Sequence, residues 1–203
     1  MPRMSEITTD KNDAISERIL DAAWERLSHY GLNKTTMVEI ADDCQMSAAN
    51  LYRYYKNKND IAAACCGRAM GERSDVLRKV VRSETTSAAD KLRKYAVRMV
   101  ELNIEQTAEK CKISDLVTNM MDNNPNLVYE KIGVHHSFIA EILAQGNASG
   151  EFVIDDVLET AELVYTSLVV LDVPIFANLY DLEKFRNIAS GIVDLILDGI
   201  GKR

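Results

Sequence analysis

Apolar residues recur along most of this chain at three- and four-residue intervals, the spacing that places them on one face of a helix. Ile15, Ile19, Ala22, Ala23, Leu27 and Tyr30 trace a first helix, which Gly31 should stop. Thr36 and Glu39 form a T-x-x-E capping box ahead of Met37, Ile40, Ala41 and Cys44, so a second helix of about two turns is expected there. After a break at 44–46, Ser47 is a good N-cap for a third short helix carrying Leu51, Tyr52 and Tyr55. Asn57 should cap a fourth, running from Lys58 to about Arg82 and linking the two halves of the chain.

Beyond a polar stretch, Tyr95, Met99 and Leu102 define the stripe of a fifth helix, and Ile113, Leu116, Val117, Met120 and Met121 that of a sixth. Pro125 suits the first position of a seventh, expected to run to Gln145 and end in the loop GNASGEF. Residues 157–177 are apolar almost all round, and Pro174 should kink or end that eighth helix. In the ninth, Phe185, Ile188, Ala189, Ile192, Leu195, Ile196 and Gly199 follow a single face. A helix apolar on two sides needs two partners, so the last two helices are expected to build a four-helix homodimer interface with a second copy. The expected architecture is all-α, with about nine helices. It divides into a flexible or disordered tail (1–13), a three-helix helix-turn-helix domain (14–61) and a larger effector-binding and dimerisation domain (62–203).

Composition agrees: three prolines and nine glycines in 203 residues, with few aromatics, favour helices. A net charge of −7 argues against coating nucleic acid non-specifically, so any DNA contact must be local. Such a locus exists, because Arg53, Lys56 and Lys58 fall between Cys44 and Asn59 with no acidic residue among them. The four cysteines, Cys44, Cys65, Cys66 and Cys111, lack C-x-x-C spacing, and a reducing cytoplasm is expected. The polar N-terminus and the lack of a long apolar run predict neither secretion nor a membrane span.

Thr35 to Ile61 has helix-turn-helix geometry: two short helices, a tight turn, and a second helix presenting small residues. Ser47, Ala48, Ala49 and Asn50 would let that helix approach a major groove, where the Asn50 amide can both donate to and accept from a base edge. Among the cations sit Tyr52, Tyr54 and Tyr55; a phenol can bond a phosphate while its ring packs inward, with Tyr55 weighed more as core than as contact. The segment resembles the tetracycline-repressor (TetR) family signature, with I-A at Ile40 and Ala41 and the L-Y-x-Y-[FY]-x-x-K string ending at Lys58. The resemblance covers residues 14 to 61. It implies DNA contacts from Thr35 and Thr36 at the start of the second helix and from Ser47, Ala48, Ala49, Asn50, Tyr52, Arg53, Tyr54 and Lys58, with Tyr52 and Lys58 on phosphates. Three positions depart from it, one being Asn50, which stands where threonine is frequent. Gln45 stands where glycine is usual in the turn, and Ala49 where glycine is common in the recognition helix. A left-handed Gln45 would cost on the order of 1 kcal/mol.

In the second half, His135 shares a face with Phe138 and Ile142 and could line a ligand cavity with Tyr95, Met99, Met120 and Tyr165; ordinary core packing gives the same pattern. His135 and His136 point about 100° apart on a helix and have no ligand at helical spacing, so no metal is expected. No cofactor is expected either. The vicinal Cys65 and Cys66 offer a redox reading against the plainer one of small buried hydrophobes. A helical enzyme using His135 lacks the oriented partners that catalysis needs, so no enzymatic activity is expected.

The expected function is therefore sequence-specific transcriptional regulation. A homodimer would set two recognition helices about 34 Å apart on an inverted-repeat operator. A small-molecule effector favouring a state with the fourth helix swung outward would release the DNA. The alternative is a DNA-binding protein whose second half is only a dimerisation platform.

Overall fold

The computed structural model describes residues 4–84, 86–107 and 113–200. Among them are nine α-helices: α1 (Met4–Tyr30), α2 (Met37–Asp43), α3 (Ala48–Leu51), α4 (Lys58–Val81), α5 (Ala88–Thr107), α6 (Ile113–Asn123), α7 (Pro125–Ser149), α8 (Val157–Leu168) and α9 (Leu182–Ile200). Two 3₁₀ turns, Val169–Leu171 and Pro174–Phe176, separate α8 from α9. The all-α architecture is the expected one. Cys111 lies outside the described residues.

The chain forms two compact units. The first contains α1, α2, α3, the first half of α4 and α6. Ile19, Ala23 and Leu27 of α1 bury against the apolar faces of its neighbours, Ile40 and Ala41 of α2 and Leu51 of α3 being buried with them. The second unit contains the other half of α4, α5, α7 from Asn126, α8 and α9. Its core runs through Leu92, Tyr95 and Met99 of α5, Ile139 and Ile142 of α7, Ala161 and Val164 of α8, and Ala189 and Val193 of α9. α4 is common to both.

Several element boundaries differ from those expected, each for a local reason. α1 starts at Met4, well ahead of Ile15, since the polar segment preceding Ile15 holds no glycine or proline to stop a helix. α7 continues one turn past Gln145 to Ser149, and Gly150 at φ +76° ends it. Within that added turn Gly146 is needed for space: a methyl there would lie 2.0 Å from Phe152 Cδ2, whose ring is folded back onto the helix. α8 stops at Leu168, short of Pro174, because the chain tightens into a 3₁₀ turn that bonds the Asp172 amide to the Val169 carbonyl at 3.0 Å. Met121 and Leu195, which lie on apolar stripes of the sequence, are exposed, whereas Met120 and Val193 beside them are buried.

Candidate nucleic-acid interface and buried charge cluster

The helix-turn-helix is built by short-range bonds that its sequence dictates. The Thr36 amide donates to Glu39 Oε2 at 2.8 Å and the Glu39 amide donates to Thr36 Oγ1 at 3.3 Å, a reciprocal capping box at the head of α2. Those bonds from Thr36 hold the Glu39 carboxyl below the usual range. At the other end of α2, the Gln45 amide donates to the Asp42 carbonyl and the Met46 amide to the Ala41 carbonyl, both at 2.9 Å, the bond pair of a Schellman turn. Gln45 takes the left-handed position with φ +55°. From α1, Arg18 Nη2 donates to the Cys44 carbonyl at 2.7 Å, while Arg26 pairs with Asp43 and Glu39. The turn is thus tied to α1 at both sides.

Ser47 caps α3 by accepting from the Asn50 amide at 3.2 Å. Regular α-helix ends at Leu51, and the Arg53 and Tyr54 amides continue with i→i−3 bonds, so the recognition helix is tighter and shorter than expected. Ser47 and Ala49 are exposed, Ala48 and Asn50 half-buried, and Leu51 alone is buried, which leaves the small-residue edge open. Tyr52 is 54% exposed and Arg53 is exposed, whereas Tyr54 is half-buried. Tyr55 is half-buried and its hydroxyl lies 3.0 Å from Ser16 Oγ of α1, in a supporting position.

Three expected contact residues are placed otherwise than as free side chains. Thr35 is buried and its hydroxyl donates to the Gly31 carbonyl at 2.8 Å. Lys58 Nζ donates to the carbonyls of Leu32 and Thr35 at 2.8 and 3.0 Å, clamping the α1–α2 turn and leaving one of its three N–H donors for a phosphate. Thr36 is exposed, but its hydroxyl serves the capping box.

Cys65 and Cys66 lie buried in α4, and burial pushes their thiols up to about 12 and about 11. Thiols so protonated at neutral pH are poor nucleophiles, which disfavours the redox reading.

In the second unit five of the six expected pocket residues converge. Tyr95 Oη lies 2.6 Å from His135 Nδ1, the His135 and Tyr165 rings stack at 4.7 Å, and the Phe138 ring meets Tyr95 edge-on at 6.4 Å; Met99 is buried in the same core. Met120 belongs to the other unit, on α6, which packs on α1.

The group that organises this cluster was not anticipated. Asp172 is fully buried, and it receives Arg73 Nη2 of α4 at 2.5 Å, Lys131 Nζ of α7 at 2.6 Å and the Tyr165 hydroxyl at 3.1 Å, with His135 Nε2 at 3.4 Å. Burial alone would push the Asp172 carboxyl up, but the Lys131 ammonium and Arg73 guanidinium outweigh it and hold it below the usual range. Burial also pushes His135 down to about 4 against the pull of Asp172, so its ring is neutral at pH 7. One sequence signal was available: Asp172 is the lone charge inside the apolar run VVLDVPIF. Lys131 sits one turn ahead of His135 on the same face.

Comparison with known proteins agrees with this geometry. Residues 19–65 match the family of bacterial regulatory proteins, tetR family, and residues 88–193, over half of the chain, match the tetracyclin repressor-like C-terminal domain. The chain belongs to the TetR family. As such it is a DNA-binding transcriptional regulator. It shares 36% identity over 62 residues, 30% of this chain and 33% of the relative, with the uncharacterized HTH-type transcriptional regulator YvkB of Bacillus subtilis. That match spans only a third of the relative's length. Its fold is similar to that of a protein of Mesorhizobium loti assigned to the TetR family (TM-score 0.78, 18% identity, 94% of this chain and 98% of that one). It is also similar to a transcriptional regulator from Cytophaga hutchinsonii (TM-score 0.69, 25% identity, 92% and 98%). A third is the regulator FadR of Bacillus subtilis, solved with stearoyl-CoA (TM-score 0.68, 20% identity, 91% and 98%). No helix among the described residues is long and apolar enough to cross a membrane.

Proposed function

We propose that this TetR-family regulator is a cytoplasmic repressor that binds an inverted-repeat operator as a homodimer and leaves it when a small molecule occupies the second unit. The observation that carries the reading is the open small-residue edge Ser47–Asn50, framed by exposed Tyr52 and Arg53 and braced from behind by Lys58, Tyr55 and Arg18. An edge of that shape can lie in a major groove while the phenol and guanidinium reach phosphates. Selecting bound sequences from random double-stranded DNA tests it: a two-fold symmetric consensus is expected, lost on Tyr52→Ala. An asymmetric consensus, or none, would overturn it. With each basic group of Arg53, Lys56 and Lys58 on a phosphate, a dimer should show a logarithmic salt slope on the order of −5.

Dimerisation through α8 and α9 is supported by outward leucines that a monomer would leave wet: Leu158 is 75%, Leu163 61% and Leu195 75% exposed. Sedimentation should give a dimer for the native chain and a monomer for Leu163→Glu with Leu195→Glu. Small-molecule sensing is supported by the convergence of polar aromatic side chains in the second unit, and by the fold relative that holds stearoyl-CoA. Because α4 belongs to both units, a ligand that biases α4 in the second unit reaches the recognition unit through one continuous element. Thermal shifts against a metabolite panel, paired with DNA release, test sensing; a panel that moves neither would leave the platform reading.

A further inference from the structure

The charges around Asp172 do not balance. Two basic side chains, Arg73 and Lys131, converge on one carboxylate; burial lowers the Lys131 ammonium from its ordinary value while Asp172 pulls it back up, the neighbouring His135 ring is neutral, and among the described residues the electrostatic partners of Asp172 include no second acid. The cluster therefore holds one surplus positive charge in a nearly dry setting, and a buried unpaired charge is unfavourable until an opposite charge joins it. The arrangement also has a direction. Asp172 is 0% exposed and the His135 side chain 4%, whereas the Arg73 and Lys131 side chains retain 11% and 17% exposure, so the cations form the accessible edge with the carboxylate behind them. Donors remain on that edge. Among the described residues Lys131 Nζ meets one acceptor, Asp172, and the Arg73 fork meets two, Asp172 and Gln106 Oε1 at 2.9 Å, out of five N–H groups. Asn103 Nδ2 donates to the carbonyl of Leu171, the residue before Asp172, while its buried Oδ1 has no partner among the described residues.

We infer that the Arg73–Lys131 edge is a subsite for the anionic group of the effector, and that this group is a monocarboxylate. A single negative charge cancels the surplus, and the planar carboxylate can take a guanidinium N–H and an ammonium N–H together. A dianionic phosphate would leave the cluster net negative and carries a larger dehydration cost. The orphan Asn103 Oδ1 accepts a hydrogen bond, which suits a ligand bearing a hydroxyl or amide N–H near its carboxylate. Arg73 lies on α4, so a carboxylate that draws on its free donors competes with Asp172 for the helix that both units share. The inference rests on the effector reading above and specifies its chemistry.

Matched probes on the purified protein test it: octanoate against octanamide, benzoate against benzamide, salicylate against salicylamide, and inorganic phosphate. By calorimetry and thermal shift at pH 7, at least one carboxylate is expected to bind ten-fold or more tightly than its amide, with phosphate silent. Lys131→Met removes the surplus charge while leaving the Arg73–Asp172 pair. It should keep or raise the unliganded melting temperature and bring that carboxylate's affinity to within about two-fold of its amide's. The inference fails if no carboxylate outbinds its amide, if phosphate binds as well as the carboxylates, or if the preference survives in Lys131→Met. Amides that bind and release DNA while carboxylates do not would sink the inference and leave the effector reading standing.

Discussion

The same chemical pair, an arginine on an aspartate, is used in opposite ways in the two units. In the recognition unit Arg26 meets Asp43 and Glu39 at the surface, where water screens the charges and the bonds fix only the angle between α1 and the end of α2. In the second unit Arg73 meets Asp172 out of water, with Lys131, Tyr165 and His135 closing the same carboxylate. The first unit spends its polar groups on local bonds that free a surface; the second buries them where any change in charge must be answered.

The widest gap between the two pairs should appear when the acid is neutralised. Asp172→Asn leaves Arg73 and Lys131 buried without a counter-charge and is expected to cost about 3–5 kcal/mol, read by urea denaturation. Asp43→Asn, at the exposed pair, should cost less than about 1 kcal/mol. Equal losses at the two sites would erase the distinction drawn between them.

Acid should separate the units next. His135 has its folded value lowered from 6.5 to about 4, so between those values the unfolded chain binds a proton that the folded chain refuses. Stability is then full above about pH 6.5 and falls as pH drops towards 4, at up to about 1.4 kcal/mol per pH unit, or roughly 3 kcal/mol in all. The groups facing this ring are Asp172, Lys131, Arg73, His136, Tyr95 and Tyr165. Asp172 also has a lowered value, and its own contribution is lost only at still lower pH, as the solution passes through its folded value. Melting temperature against pH in His135→Gln should be flatter over that window; an unchanged slope would place the titration elsewhere.

A smaller effect tests the local bonds of the recognition unit. Thr36→Ala removes the N-cap of α2 and should cost about 1 kcal/mol, with DNA affinity falling alongside because the capping box sets the helix that braces α3. Glu39→Gln should retain most of that stability, since the amide oxygen can still accept from the Thr36 amide.

These differences follow what was legible in the chain. Thr36, Ser47 and Asn57 were readable as caps because each bond closes within three residues, and the structure has all three. The stripe Tyr95, Met99, Leu102 was readable because helical period alone sets it. Arg73 was not, because its partner lies 99 positions away and nothing in the run GERSDVLRK marks one arginine as buried. Helical period places Leu195 on one apolar stripe of α9 without saying which residues face the core, and only packing against α5 and α8 shows that Val193 is the buried one. Lys58 shows a further limit: a lysine in a signature says where a cation is needed, and its two carbonyl partners emerge only when the turn before α2 is folded.

The finest test concerns the turn itself. Gln45 sits at φ +55° in the position that Schellman turns usually give to glycine. A left-handed non-glycine residue costs about 1–2 kcal/mol, and glycine removes that cost while giving back roughly 0.5–1 kcal/mol through the freedom of the unfolded chain. Gln45→Gly should therefore stabilise the protein by at most about 1.5 kcal/mol, measured by urea titration. The Gln45 and Met46 amide bonds to α2 stay in place, so operator affinity should not change. A destabilised Gln45→Gly would mean that the glutamine side chain supplies a contact outweighing its own strain, so that the first unit holds a tuned turn and not only local, interchangeable bonds.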